Sequence, residues 1–321
     1  MMLAPLVLAL LPQEAYAPIR IADGVYSLVA RDRGRGNTGC VVFDDFVLAI
    51  DAGLASDAIA QIRKLSDKPI RFLFESSSSD DHCAQSQVYR AAGATVVAQE
   101  RLGDRGAALR FQTRLDLDDG GQRVELICFG AGNGEGDAVA YLPHAKTLFA
   151  GDLCAIDVMT SSTDTDGWLS VLDRLRELDI DHVIPGRGAP GGKELLDHQR
   201  RWLTELRAQL AAQLPNIGRG HLDLVQLDMP WFREWTGADP KQQRADLASV
   251  WQALTGRTPP WHMLRELDLV AGQRRATSWT RPRWWCRTSR CCSSCSSSSR
   301  APNRALAAAR QQRGGGGPPV P

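Results

Sequence analysis

Phe72-Leu73-Phe74-Glu75-Ser76-Ser77-Ser78-Ser79-Asp80-Asp81-His82 is the stretch whose reading decides the fold. Its apolar start completes a run from Pro69 to Phe74 that has strand length. The serines and acids after it read as a loop, and about Ala84 to Ala92 as a helix. A strand that empties into a polar loop and then a helix is the repeating unit of an α/β body, and such loops carry functional groups. Three further loops read as following a strand directly. Gly130-Ala131-Gly132-Asn133-Gly134-Glu135-Gly136-Asp137 follows Val124–Phe129. Gly151-Asp152-Leu153 follows Thr147–Ala150, and Pro185-Gly186-Arg187-Gly188 follows His182–Ile184. All four can meet at one sheet edge.

Working outward, Gly24–Ala30, Gly39–Phe43 and Phe46–Ile50 read as strands, the last two joined by a tight Asp44-Asp45 turn. Asp51-Ala52-Gly53 ends the third. Ser56 is expected to cap a helix through Leu65 with Ile59, Ile62 and Leu65 on one face. Thr95–Ala98 and Ala138–Leu142 are further strands. Asp166-Gly167 opens a helix with Trp168, Val171, Leu172, Leu175 and Leu178 on its apolar side. A long helix runs from Lys193 to about Leu214, carrying Leu195, Trp202, Leu206 and Leu210, and Pro215 stops it. From Asn216 to Gly272 the pattern is mainly helical, judged by Leu247, Val250, Trp251 and Leu254.

The order and spacing of the four loops resemble the metallo-β-lactamase-fold superfamily over roughly Gly24 to Leu206. The resemblance implies an α/β fold: a four-layer αββα sandwich spanning 18–213, with a helical C-terminal extension at 214–272. It also implies a site. The family's first motif, H-x-H-x-D-H, holds Ser77 and Ser79 here in place of its leading histidines and keeps Asp81 and His82. Asn133 stands at the next histidine position. Asp152 matches the carboxylate that bridges two zinc ions, and Arg187 replaces the histidine of P-G-H-G. By the resemblance, one metal site has lost all three histidines (Ser77, Ser79, Asn133). The other keeps Asp81, His82 and Asp152 and loses a ligand at Arg187.

Elementary chemistry agrees that these replacements matter. Zinc takes imidazole, thiolate or carboxylate, and hydroxyl or amide oxygen is a poor substitute. A two-metal hydrolase needs ions to bring the pKa of a bound water toward neutrality. Guanidinium stays charged, so Arg187 repels a cation and supplies a counter-charge to Asp81 and Asp152. The leading expectation is a hydrolase-like protein without dinuclear zinc hydrolysis, a pseudoenzyme with a binding or structural role and no cofactor. No residue is assigned a catalytic role. A second reading is an active hydrolase with one zinc at Asp81, His82 and Asp152. A third is metal-free chemistry with Arg187 binding an anionic substrate. Taken singly, His82 reads as a hydrogen-bonded core histidine, and Asp81 and Asp152 as loop-fixing carboxylates. Cys83 and Cys154 stand as unrelated half-buried thiols, as thiolate ligands of a rearranged site, or as a disulfide. His144, His182, His198, His221 and His262 match no motif position.

The ends differ from this body. Leu3–Leu11 is apolar and Ala15-Tyr16-Ala17 has the A-x-A form of a signal-peptidase site, with only the α-amino charge ahead of it. Residues 1–17 are therefore expected to be a signal peptide, and the chain to be exported to a periplasm or secreted. Arg274 to Pro321 holds ten Arg and neither Lys nor acid, so the chain's net +1 leaves −9 on residues 1–273. An acidic body gives no reason to expect nucleic-acid binding; its partner is an unidentified small molecule or protein. Cys286, Cys291, Cys292 and Cys295 lack zinc-knuckle spacing and an accompanying His. Residues 273–321, rich in Arg, Ser, Cys, Gly and Pro, show no period of 2 or 3.6 and are expected to be disordered. Their G/C-rich codon usage suits a frameshift product. No apolar run reaches the roughly 18 residues of a membrane span.

Overall fold

The computed structural model describes residues 14–32, 35–103, 106–156, 164–216, 225–232, 250–252 and 254–256. The expected tail at 273–321, most of the extension at 214–272 and residues 1–13 of the expected leader lie outside these.

Two sheets face each other. The first holds β1 (Tyr16–Ala22), β2 (Val25–Ala30), β3 (Thr38–Val42), β4 (Val47–Ile50), β5 (Ile70–Glu75), β6 (Thr95–Gln99) and β7 (Leu109–Phe111), side by side in chain order. Hairpin connections make β1 to β4 antiparallel, and helical crossovers make β4 to β7 parallel. The second sheet holds β8 (Arg114–Asp118), β9 (Arg123–Ile127), β10 (Val139–Leu142), β11 (Thr147–Ala155) and β12 (His182–Arg187), in the order β12-β11-β10-β9-β8. Here β11 and β12 pair in parallel and the others antiparallel.

The helices are α1 (Ala55–Leu65), α2 (Asp80–Cys83), α3 (Ser86–Ala91), α4 (Thr165–Glu177) and α5 (Glu194–Gln213). Three apolar clusters fill the three gaps between four layers. Ala55, Ala58, Ile59 and Ile62 of α1 and Tyr89 of α3 pack on Leu28, Val47, Ala49 and Leu73 of the first sheet. Between the sheets, Leu48, Ile50, Phe74 and Val97 meet Leu126, Ala140, Phe149 and Ile184. Trp168, Val171 and Leu172 of α4 and Trp202, Leu206 and Leu210 of α5 cover the outer face of the second sheet. Covered on both faces, β4 and β10 are buried at every position, which is why they read as unbroken apolar runs. This is an αββα sandwich. Among the described residues no helix is long and apolar enough to cross a membrane.

The structure corrects several local expectations. Ser56 does not cap α1; it lies inside the helix. The N-terminal amides of α1 are met from elsewhere, Leu54 N–H by the Tyr16 hydroxyl (2.8 Å) and Ala55 N–H by Gln85 Oε1 (2.9 Å). The helix expected from Ala84 to Ala92 is two short ones, α2 and α3, that break at Gln85. Asp164 caps α4, accepting from Gly167 N–H, so the helix opens before Asp166. Three strands, β1, β7 and β8, were absent from the sequence reading. The sandwich also starts before residue 18: Tyr16 is 1% exposed and pairs with Ala30 across β1 and β2. At the other end, Val225, Leu227, Met229, Phe232, Val250 and Trp251 belong to the same cluster as α4 and α5, so that core continues past residue 213.

Candidate functional site: a carboxylate–arginine–histidine cluster at the edge of both sheets

Strand ends deliver the site's side chains. Asp51 follows β4; Ser76, Ser77 and Ser79 follow β5 and lead into α2, which carries Asp81 and His82. Arg187 is the last residue of β12. Asp152 was expected on a loop but sits inside β11, which continues to Ala155 past a register shift against β12. The shift occurs at Gly151, whose φ of +52° favours glycine. A Cβ there would stand 2.3 Å from Ser76 Oγ, so its absence lets β11 approach the serine loop.

Asp152 is the hub, 1% exposed. Its Oδ2 accepts from the hydroxyls of Ser77 (2.7 Å) and Ser79. Its Oδ1 faces Arg187 Nη1 at 3.0 Å and His82 Nε2 at 3.1 Å. The other end of the guanidinium, Nη2, pairs with Asp81 Oδ2. The far ring nitrogen of His82, Nδ1, lies 2.8 Å from Asp51 Oδ2. Asp51 is fixed in turn by Ser76, whose N–H donates to Oδ1 and whose hydroxyl donates to Oδ2, both at 2.8 Å.

The charges follow from these contacts. Two carboxylates flank one buried imidazole, an arrangement that favours a proton on each ring nitrogen. Burial alone would lower the His82 pKa, but Asp152 and Asp51 raise it well above the ordinary histidine value. Burial would likewise raise the Asp152 pKa, yet His82, Arg187 and the Ser79 hydroxyl hold it well below the ordinary carboxylate range. Asp137 goes the other way: burial first, then the neighbouring Asp152 charge, push its carboxyl up to about 7.

Of the residues singled out in the sequence, Ser77, Ser79, Asp81, His82, Asp152 and Arg187 form one connected network. Asn133 does not join it by a hydrogen bond; its side chain is half-buried and its Nδ2 has no partner. Two members were missed. Asp51, with φ of +60°, read only as a strand end. Its signal was the Asp-x-Gly directly after a buried strand, since aspartate tolerates the left-handed region better than most residues. Asn37 read as nothing, yet it ties the sheets together. Its N–H donates to Gly186 O (2.7 Å), and its Nδ2 donates to Pro185 O (2.9 Å) and Gly188 O (2.7 Å). Its Oδ1 accepts from Ala30 N–H (3.0 Å). The disulfide alternative for Cys83 and Cys154 is not realised: neither is in a disulfide, both are buried, and burial pushes Cys154 up to about 12.

The same architecture occurs in solved structures. A metallo-beta-lactamase from Pontibacter korlensis matches with a TM-score of 0.54 and 22% sequence identity, over 59% of this chain and 99% of that one. The crystal structure of VMB-1 at pH 5.5 matches with a TM-score of 0.52 and 17% identity, over 60% of this chain and 98% of that one. This chain has the metallo-β-lactamase fold. No protein-family model matches the chain.

A metallo-β-lactamase fold raises the question of zinc, and the donors present do not fit it. The Ser77 and Ser79 hydroxyls point their protons at Asp152 Oδ2. Both ring nitrogens of His82 are engaged by carboxylates, Nδ1 by Asp51 and Nε2 by Asp152. Arg187 already spans Asp81 and Asp152. Among the described residues no group of three or more His, Cys, Asp or Glu side chains is arranged to hold an ion. The third reading also meets a geometric obstacle, since both terminal nitrogens of Arg187 are engaged by carboxylates rather than turned toward an anionic ligand.

Proposed function

We propose that this chain is a metallo-β-lactamase-fold protein that does not carry out dinuclear zinc hydrolysis and acts through a binding or structural role. The observation that carries the proposal is the saturation of Asp152, the residue at the position of the family's metal-bridging carboxylate. Two serine hydroxyls take one of its oxygens; an arginine and a histidine take the other. Nor do Asp152 and His82 supply a base for nucleophilic chemistry. A serine is activated by a neighbour that can accept its proton, and Asp152, held well below the usual carboxylate range, is a weak acceptor. His82 has both ring nitrogens turned to carboxylates and none toward a serine.

The test uses the purified full chain. Metal analysis after dialysis should find well under one equivalent of zinc. A β-lactam, a thioester and a lactone should show no hydrolysis that a chelator abolishes. About one tightly held equivalent together with chelator-sensitive turnover would overturn the proposal. It would favour instead a single zinc at Asp81, His82 and Asp152 with Arg187 swung aside. Export remains part of the proposal on the strength of the Leu3–Leu11 run. The buried ring of Tyr16 favours a cut upstream of that residue over one after Ala17, because the latter would remove a core side chain.

A further inference from the structure

We propose that Asp81 and Asp152 form a seat for a monovalent planar cation of the guanidinium class, filled in this chain by its own Arg187. The inference rests on the reading that zinc does not occupy the site, and deepens it by naming what the site does bind. Arg187 is 7% exposed, and each terminal nitrogen meets a different carboxylate: Nη1 meets Asp152 Oδ1 at 3.0 Å, and Nη2 meets Asp81 Oδ2. The two carboxylates come from different sheets, Asp81 from the loop-helix after β5 and Asp152 from β11. One flat group with two divergent donors therefore bridges the layers at the point where relatives of this fold are expected to place an ion.

Donor chemistry, rather than charge alone, selects the occupant. Around the seat there are two carboxylate oxygens; both ring nitrogens of His82 already face carboxylates, and the serine hydroxyls are turned to the far oxygen of Asp152. Zinc asks for four donors in a tetrahedron and finds two. A guanidinium asks only for acceptors in its plane and finds both. Gly36, itself buried, packs closely against the seat: a Cβ there would lie 3.0 Å from Asp81 Oδ2 and 3.2 Å from His82 Cε1.

The experiment is chemical rescue in the full-length chain. Arg187→Ala should lower the melting temperature by roughly 10 °C, as expected when one partner of a buried ion pair is removed. Methylguanidinium at about 20 mM should restore at least half of that loss by filling the vacated seat. Denaturation by so dilute a guanidinium salt is slight, and the parent should gain nothing from it. Sodium, tetramethylammonium and urea at the same concentration should not rescue. Failure of methylguanidinium to rescue, or equal rescue by sodium, overturns the seat. A larger rescue by zinc than by methylguanidinium also overturns it and makes the place a metal site. Should Arg187→Ala fail to fold, Arg187→Lys and Arg187→Gln give the ranking. A melting order of parent, then Lys, then Gln supports a cation seat; Gln equal to or above Lys refutes it. These outcomes are read on variants by melting, whereas the proposed function is read on the parent by zinc content and turnover, so either can fail alone.

Discussion

Asp137 shows how much one buried carboxyl can set the pH response of a fold. It is 1% exposed; Gly134 N–H donates to its Oδ2 at 2.6 Å, and Oδ1 has no hydrogen-bond partner. Burial and the nearby Asp152 charge raise it to about 7, against 3.8 for an ordinary aspartate. The folded state therefore keeps a proton that the unfolded chain releases near pH 4. Stability from this group is complete below that pH and is lost as the pH climbs to about 7. Asp137→Asn keeps the acceptor for Gly134 and cannot ionise. Its unfolding free energy from urea denaturation should match the parent near pH 4 and exceed it increasingly up to pH 8, by a few kcal/mol at about 1.4 kcal/mol per pKa unit. A difference independent of pH would show that Asp137 is not protonated in the native state. His82 and Asp152 also titrate, but both proteins share them, so their contribution largely cancels in the difference. At this scale the sequence was partly legible. Arg187 meeting Asp81 and Asp152 follows from motif order, because the loops that carry them repeat a known pattern. Asp137, Asp51 and Asn37 were not legible. Apart from the Asp-x-Gly signal at Asp51, their roles come from burial and from partners the fold brings together, such as Ser76, 25 residues from Asp51, and Gly188, 151 residues from Asn37.

Among the elements, α1 illustrates a start signal that misleads. Ser56 is a good capping residue before an amphipathic run, yet it is exposed within the helix, and the amides are satisfied by Tyr16 and Gln85. Removing the Tyr16 hydroxyl strands the Leu54 N–H in a half-buried place. Tyr16→Phe should therefore cost about 1–2 kcal/mol in urea denaturation, while Ser56→Ala should stay within about 0.5 kcal/mol. Comparable losses in the two variants would return the cap to Ser56. The central strands were legible because a strand covered on both faces must be apolar throughout. The missed strands are edges or their neighbours and obey a different rule. β8 reads Arg-Leu-Asp-Leu-Asp, and its Arg114 and Asp116 meet Arg123 and Glu125 of β9 in a ladder of ion pairs. Charge on an edge strand discourages pairing with other chains and also hides the strand from a search for apolar runs. The period of 2 in β8 was visible but went unread beside its charges. β1 was obscured because it starts at Tyr16 and Ala17, inside the expected leader, and runs across its end.

In the molecule as a whole, three apolar layers hold two sheets and two sets of helices, and the site sits where both sheets end. Asn37 closes that end, stitching the β2–β3 connection to the strand that carries Arg187. The extent of the body is the remaining question at this scale. The family resemblance and the helix stop at Pro215 suggested a boundary after residue 213. In space, however, Phe232 is fully buried and stacks on Trp202 of α5 with ring centroids 4.1 Å apart. Trp231 packs beside it, donating from its indole to Glu205 Oε2 at 2.8 Å under the guanidinium of Arg201. If the 225–232 segment were a separate extension, emptying the Phe232 position would leave the main unfolding transition in place. Because Phe232 belongs to the core that α4 and α5 share with the second sheet, Phe232→Ala should instead destabilise the body by about 3–5 kcal/mol, the cost of a buried phenylalanine cavity. That loss should appear as a shift of one cooperative transition, followed both by tryptophan fluorescence and by circular dichroism of the whole chain. An early, separate fluorescence change with an unmoved dichroism midpoint would place the boundary back at residue 213.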